Sequence, residues 1–162
     1  MDWDLADWQQ DLLAFTKRVV ALRNEHPVFR RRRFFAGDVT PDVADVADIV
    51  WFNPGGQHMQ DADWGGSKAM MVFLNGDGIP EPGRRGEPVV DDSFLIAFNA
   101  GDKALQFTIP DEVYGEGWLI VLDTSDDAAG SVSYFDDVPP LLPGLEFEVA
   151  DRSVVVLRRP RP

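Results

Sequence analysis

Leu5, Trp8, Leu12, Phe15, Val19 and Leu22 follow one another at alternating steps of three and four residues. That is the spacing of one face of an α-helix, and it predicts a single helix over residues 4–25. Asp2 or Asp4 supplies a capping side chain at its start, and Pro27 stops the run soon after Glu25. Leu13 and Val20 flank the main stripe and widen it beyond what one neighbour covers. The helix is therefore expected to have partners on two sides.

Beyond Pro27 the period changes. Short apolar runs separated by turn-forming residues predict strands over 32–35, 48–52, 70–74, 94–99, 104–109, 118–123, 145–149 and 153–158. Two of them alternate strictly, with Leu105, Phe107 and Ile109 on one face, and Leu145, Phe147 and Val149 likewise. One face of each is expected to be buried and the other wet. The turns at 100–102 and 150–152 suit hairpins. The pattern as a whole predicts an α+β chain that is mainly β: an antiparallel β-sandwich preceded by one N-terminal helix. Long loops are expected at 53–69, 75–92 and 123–144, the last of them acidic. Loops of that length are usually functional or disordered and seldom silent.

Composition narrows the partners. At 162 residues the chain holds one domain with a real core and an appended element. Fifteen Lys and Arg against twenty-eight Asp and Glu leave a net charge of −13. A field of that sign repels phosphate backbones and anionic lipid, so neither nucleic acid nor a membrane is an expected partner. It is compatible with a neutral polyhydroxylated ligand such as a glucan. No apolar run approaches the roughly 20 residues of a membrane span, and the acidic, aromatic N-terminus is unlike a signal peptide. The chain has no cysteine, which fits a reducing compartment, and the cytoplasm is the expected location.

Candidate chemistry is sparse. Asp91 and Asp92 are adjacent, so in extended backbone they point to opposite faces and cannot share one site. The run from Asn75 to Glu87 superficially resembles a calcium loop, but Ile79 stands where an oxygen ligand is needed. It reads as a turn-rich connector. His26 and His58 are the only histidines and lie in different segments, and without cysteine they do not make a transition-metal set. Neither metal nor cofactor is expected. His26 stands at the helix end, where a cationic imidazole suits the dipole. The arginines of 29–35 offer an anion patch or, more in keeping with the overall charge, partners for acidic groups of the same fold. Trp8, Trp51 and Trp118 lie inside periodic runs and are expected in the core. Trp64 lies in a loop beside Gly65 and Gly66 and is the candidate carbohydrate contact, since the CH face of a pyranose packs on indole. No catalytic residue is identifiable.

Several segments, in a fixed order, resemble one family. Residues 12–35, "LLAFTKRVVALRNEHPVFRRRRFF", resemble the last helix of the catalytic barrel and the entry to the next domain in glycogen-debranching enzymes of the isoamylase type, members of the α-amylase superfamily. Residues 47–64, "ADIVWFNPGGQHMQDADW", are similar to that family's Trp-x-x-Pro-x-Gly…Met…Asp-Trp loop. Residues 72–100 resemble its next strand, loop and strand, and 152–159, "RSVVVLRR", its C-terminal strand. Gly56, His58 and Ala62 depart from the pattern where acidic residues are common, and 124–144 is poorly matched.

The resemblance implies that residues 1–28 are the last helix of a catalytic barrel that is missing here and that 29–162 form the C-terminal β-sandwich. A barrel needs about 250 residues and eight strand–helix units. The family's catalytic carboxylates lie on that barrel, and no position here matches their motifs. The implied role is non-catalytic: structural support of the barrel in a parent that hydrolyses α-1,6-glucosidic branch linkages of glycogen or a related branched glucan. The implied partner is the barrel itself. Without it the stripe of Leu5, Trp8, Leu12, Phe15 and Val19 is expected to drive self-association. Two alternatives stay open: a freestanding carbohydrate-binding sandwich, and an interaction module that docks on a separate barrel chain.

Overall fold

The computed structural model describes residues 5–39, 45–125 and 139–161. The expected caps at Asp2 and Asp4 and residues 126–138 of the acidic loop lie outside them. Helix α1 spans Asp7–Glu25. Its cap position is Ala6, which has no side-chain acceptor; instead the Gln9 amide oxygen accepts the Ala6 backbone N–H at 2.9 Å. At the other end Pro27 opens a 3₁₀ turn, Pro27–Arg30, where its fixed φ and missing N–H cost nothing.

Among the described residues seven strands follow: β1 Ile49–Phe52, β2 Ala69–Leu74, β3 Ser93–Asn99, β4 Leu105–Thr108, β5 Leu119–Asp123, β6 Glu146–Val149 and β7 Ser153–Arg159. They form a five-stranded sheet in the order β1-β2-β3-β7-β5 and a two-stranded sheet β4-β6, with every pair antiparallel. The sandwich is thus lopsided. The inner face of the large sheet carries Phe52, Met71, Phe73, Leu95, Ala97, Val155 and Leu157, which pack against Phe107, Phe147 and Val149 of the small sheet and against Trp118. The outer face carries Val72, Leu74, Phe94 and Val156, covered by Val28, Ile79 and the half-buried Phe15 and Leu22 of α1.

This two-sided burial accounts for the sequence texture. β2 and β3 lie between two layers and read as nearly continuous apolar runs, whereas β6 has one wet face and alternates. In the small sheet Phe107, Phe147 and Val149 are buried as expected, while Leu105 and Leu145 are exposed at its margin.

Three expectations need correction. Residues 32–35 form no strand. The Asp48 carboxylate organises that segment instead, accepting from the Ala36 and Gly37 backbone N–H groups and pairing with Arg31 at 2.9 Å, while the Arg31 guanidinium lies over Phe35. The turns at 100–102 and 150–152 are not hairpins, because β3 and β4, and β6 and β7, belong to different sheets. They are corners where the chain changes layer. The buried Asn99 amide ties them together by donating to the carbonyls of Lys103, Val149 and Ala150, and Arg152 takes the left-handed φ of 49° at the second corner. Finally, Trp8 and Trp51 are exposed rather than core, unlike Trp118.

The connector between β2 and β3 closes at its base through Asp91 N–H donating to Gly76 O. Any Cβ at Gly76 would overlap the carbonyl oxygens of Asp91 and Asp92. Asp91 turns inward to His26 Nδ1 at 2.8 Å and to the Val28 N–H, fastening the end of α1 to the start of β3. Asp92 turns the other way, toward Arg158 and the Arg161 N–H.

Candidate functional site

β1 is one of the two outer strands of the large sheet, and the chain after it folds back along its free edge. A turn closes with Gly56 N–H donating to Asn53 O, His58 bridges to Phe52, and Met59 N–H donates to Trp51 O. Next, the Asp63 carboxylate accepts from the Gln60 N–H at 2.8 Å and forms a second turn. Alternation along β1 sends Phe52 into the core and Trp51 outward. The second turn brings Trp64 against it, with ring centroids 5.6 Å apart and planes inclined at 68°. Trp51 is 37% exposed and Trp64 51% exposed. Two indoles near right angles therefore border an open corner on the outer side of the edge.

The inner side of the same edge carries a polar pair. His58 Nε2 lies 2.5 Å from the Tyr114 hydroxyl. Tyr114 ends a short 3₁₀ turn, Glu112–Tyr114, whose start is fixed by the Asp111 carboxylate accepting from the Val113 N–H. Its ring packs edge-on against Phe52 and Phe73. Burial, and secondarily the charge of Asp111, push the phenol above its ordinary value of 10.0. At neutral pH it is a neutral hydroxyl that shares one hydrogen bond with His58 Nε2. An open groove of about 560 Å³ lies over this pair, walled by Gly55, Gly56, Gln57, Thr108, Asp111 and Pro143 among others.

The acidic side chains singled out in the sequence are engaged structurally. Asp91 and Asp92 bind different parts of the fold, and Asp77 faces Arg159 and Arg161. Among the described residues no group of three or more His, Cys, Asp or Glu converges closely enough to hold a metal ion. His26 and His58 are placed apart, one against Asp91 and the other against Tyr114.

Trp64 is exposed in its loop, and the structure joins it to Trp51, which sequence reading placed in the core. The signal for Trp51 was its place between Val50 and Phe52, the two inward-facing residues of a strand with only one paired side. Tyr114 carried no sequence signal, because its partner His58 is 56 residues away. No helix among the described residues is long and apolar enough to cross a membrane.

Comparison with known proteins places this geometry. Residues 48–158 match the family described as isoamylase, C-terminal. The chain is similar to the glycogen operon protein GlgX homolog of Mycobacterium tuberculosis (strain ATCC 25618 / H37Rv), at 43% identity over 162 residues, covering 98% of this chain and 22% of that protein. It is also similar to the isoamylase of Flavobacterium sp, at 27% identity over 124 residues, covering 76% of this chain and 15% of that protein. The isoamylase of Pseudomonas amyloderamosa is 22% identical over 138 residues, covering 82% of this chain and 16% of that protein. The chain spans about a fifth of the length of the GlgX homologs it matches. The match takes in β1 to β6 whole and β7 up to Arg158, and the chain belongs to the isoamylase C-terminal family.

Proposed function

We propose that this chain is the non-catalytic C-terminal portion of a glycogen-debranching enzyme whose parent hydrolyses α-1,6-glucosidic linkages, and that it supports the catalytic barrel. In this reading residues 1–28 are the last helix of the barrel, 29–162 are the C-terminal sandwich, and the parent acts on glycogen or a related branched glucan in the cytoplasm. The supporting observation is α1 itself. None of its residues is fully buried, and Trp8, Leu12, Leu13, Val19 and Val20 are exposed while only Phe15 and Leu22 pack on the sandwich. A helix with that much bare apolar surface is built for a second neighbour. The barrel would be that neighbour, and in its absence the same stripe, Leu5 included, would pair copies of the chain.

The test is reconstitution. A separately produced barrel fragment should bind the 162-residue chain and gain debranching activity or thermal stability from it. Leu12→Glu with Val19→Glu should abolish both effects. Failure of the wild-type chain to bind the barrel fragment would refute the proposal.

A second reading is favoured by one observation, the exposed Trp51–Trp64 pair. Carbohydrate contact through Trp64 would let the domain hold a glucan strand near the barrel. Quenching of indole fluorescence by maltooligosaccharide, lost in Trp64→Ala, would support it. Identical titrations of the two proteins would refute it.

A further inference from the structure

We propose that the groove over the His58–Tyr114 pair is a binding subsite for a neutral, hydroxyl-rich ligand of about one or two pyranose rings. The proposal extends the glucan reading above, but it uses residues on the opposite side of β1 from Trp51 and Trp64, so the two can fail separately.

Space comes first. A volume of about 560 Å³ falls within the range of small-molecule sites, about 300–1,000 Å³. Gly55, Gly56 and Gly144 put bare backbone on its walls. Gly56 has a left-handed φ of 73°, and a Cβ there would lie 2.8 Å from Thr108 O. The 53–58 loop is thereby held at a fixed distance from the strand end opposite, and the groove is formed before any ligand arrives.

The polar groups select hydroxyls. The Tyr114 phenol and His58 Nε2 share one hydrogen bond, and in either tautomer the phenol oxygen keeps a free lone pair and the exposed imidazole keeps Nδ1 as a second hydrogen-bonding atom. The Asp111 carboxylate accepts and the Gln57 amide does both. A sugar hydroxyl, which donates and accepts at one atom, can satisfy several of these together. Pro110, Val113 and Pro143 add CH surface for the apolar face of the ring.

Charge excludes the obvious competitors. Among the described residues no lysine or arginine lines the groove and Asp111 is its one acidic residue, so a phosphate or carboxylate would meet repulsion. A lone carboxylate also falls short of the six or more oxygens that a hard divalent cation takes.

The test is a titration of the isotope-labelled 162-residue chain with maltotetraose, followed by amide shifts. The expected result is saturable movement of the Gly55, Gln57, His58, Val113 and Tyr114 signals. Tyr114→Phe and His58→Phe, each removing that residue's hydrogen-bonding atoms, should weaken that binding about tenfold. Trp64→Ala should leave it unchanged. Val113 is 57% exposed, so Val113→Trp can fill the groove without entering the core and should abolish the shifts. It serves as the deciding variant if either pair substitution disturbs the fold. Shifts confined to Trp51 and Trp64, no shifts at all, or shifts indifferent to Val113→Trp would overturn the proposal.

Discussion

Trp118 is fully buried beside Phe73, while Trp51 leaves over a third of its surface in water against Trp64. Trp118→Ala should therefore cost about 3–5 kcal/mol, the usual price of emptying a core aromatic site. Trp51→Ala and Trp64→Ala should each cost about 1 kcal/mol, mostly their mutual ring contact. Urea unfolding of the three variants checks this, and equal losses would contradict the burial difference. Tyr114 gives a pH prediction. Its folded pKa is raised above 10.0, so the folded state holds its proton more tightly than the unfolded one. That contribution is complete below the ordinary phenol value and is lost as pH rises from there through the higher folded value. Melting temperature should fall more steeply above about pH 10 in the wild type than in Tyr114→Phe. The sequence made Trp64 legible because its flanking glycines are a local feature. Trp51 was misread because its exposure depends on β1 being an outer strand, a fact fixed by pairing with distant residues.

Helix α1 separates two kinds of apolar position. Leu12 is 56% exposed, whereas Phe15 packs into the outer core beside Val28 and Phe94. Leu12→Glu should lower self-association, read by sedimentation, and leave stability within about 0.5 kcal/mol. Phe15→Glu should lower both. A bare large apolar side chain forgoes roughly 1.5–3 kcal/mol relative to burial, which is the driving force behind the self-association proposed for the stripe. The anchor of the helix is equally specific. Asp91→Ala would strand buried His26 and the Val28 N–H together. Each buried group left without its hydrogen-bond partner costs about 1–3 kcal/mol, and hydrogen exchange in α1 should rise more than in β3. The helix and the strands with continuous apolar runs were legible because period and run length are properties of adjacent residues. The 32–35 segment was not, since distant carboxylates set its path: Asp48 holds its flanks at Arg31, Ala36 and Gly37, and Glu81, 48 residues away, accepts from the Arg33 N–H.

At the scale of the molecule the prediction is functional. Asp48, Asp77, Asp91 and Asp92 are each held by partners within the fold, and this chain alone should release no reducing ends from branched glucan. Turnover that co-purified with it and vanished on mutating one of its own carboxylates would refute this. Sandwich architecture was readable from strand spacing, yet its connectivity was not. Turn residues at 100–102 and 150–152 announce a change of direction without naming the strand to be met. The groove and the indole pair both arise where a loop returns to the edge of β1, and no local pattern encodes that return.

β7 is the last strand in order and yet occupies an inner place in the sheet, between β3 and β5. On the ribosome both of its neighbours emerge before it, and about 30 residues lie between the end of β5 and the start of β7. For the time those residues take to be made, on the order of seconds, β3 and β5 present unpaired backbone and uncovered apolar side chains. Chaperone demand and aggregation should concentrate in that interval. A substitution that makes the open edge of β3 stickier would then lower the yield of the protein while leaving the melting temperature of the molecules that do finish unchanged.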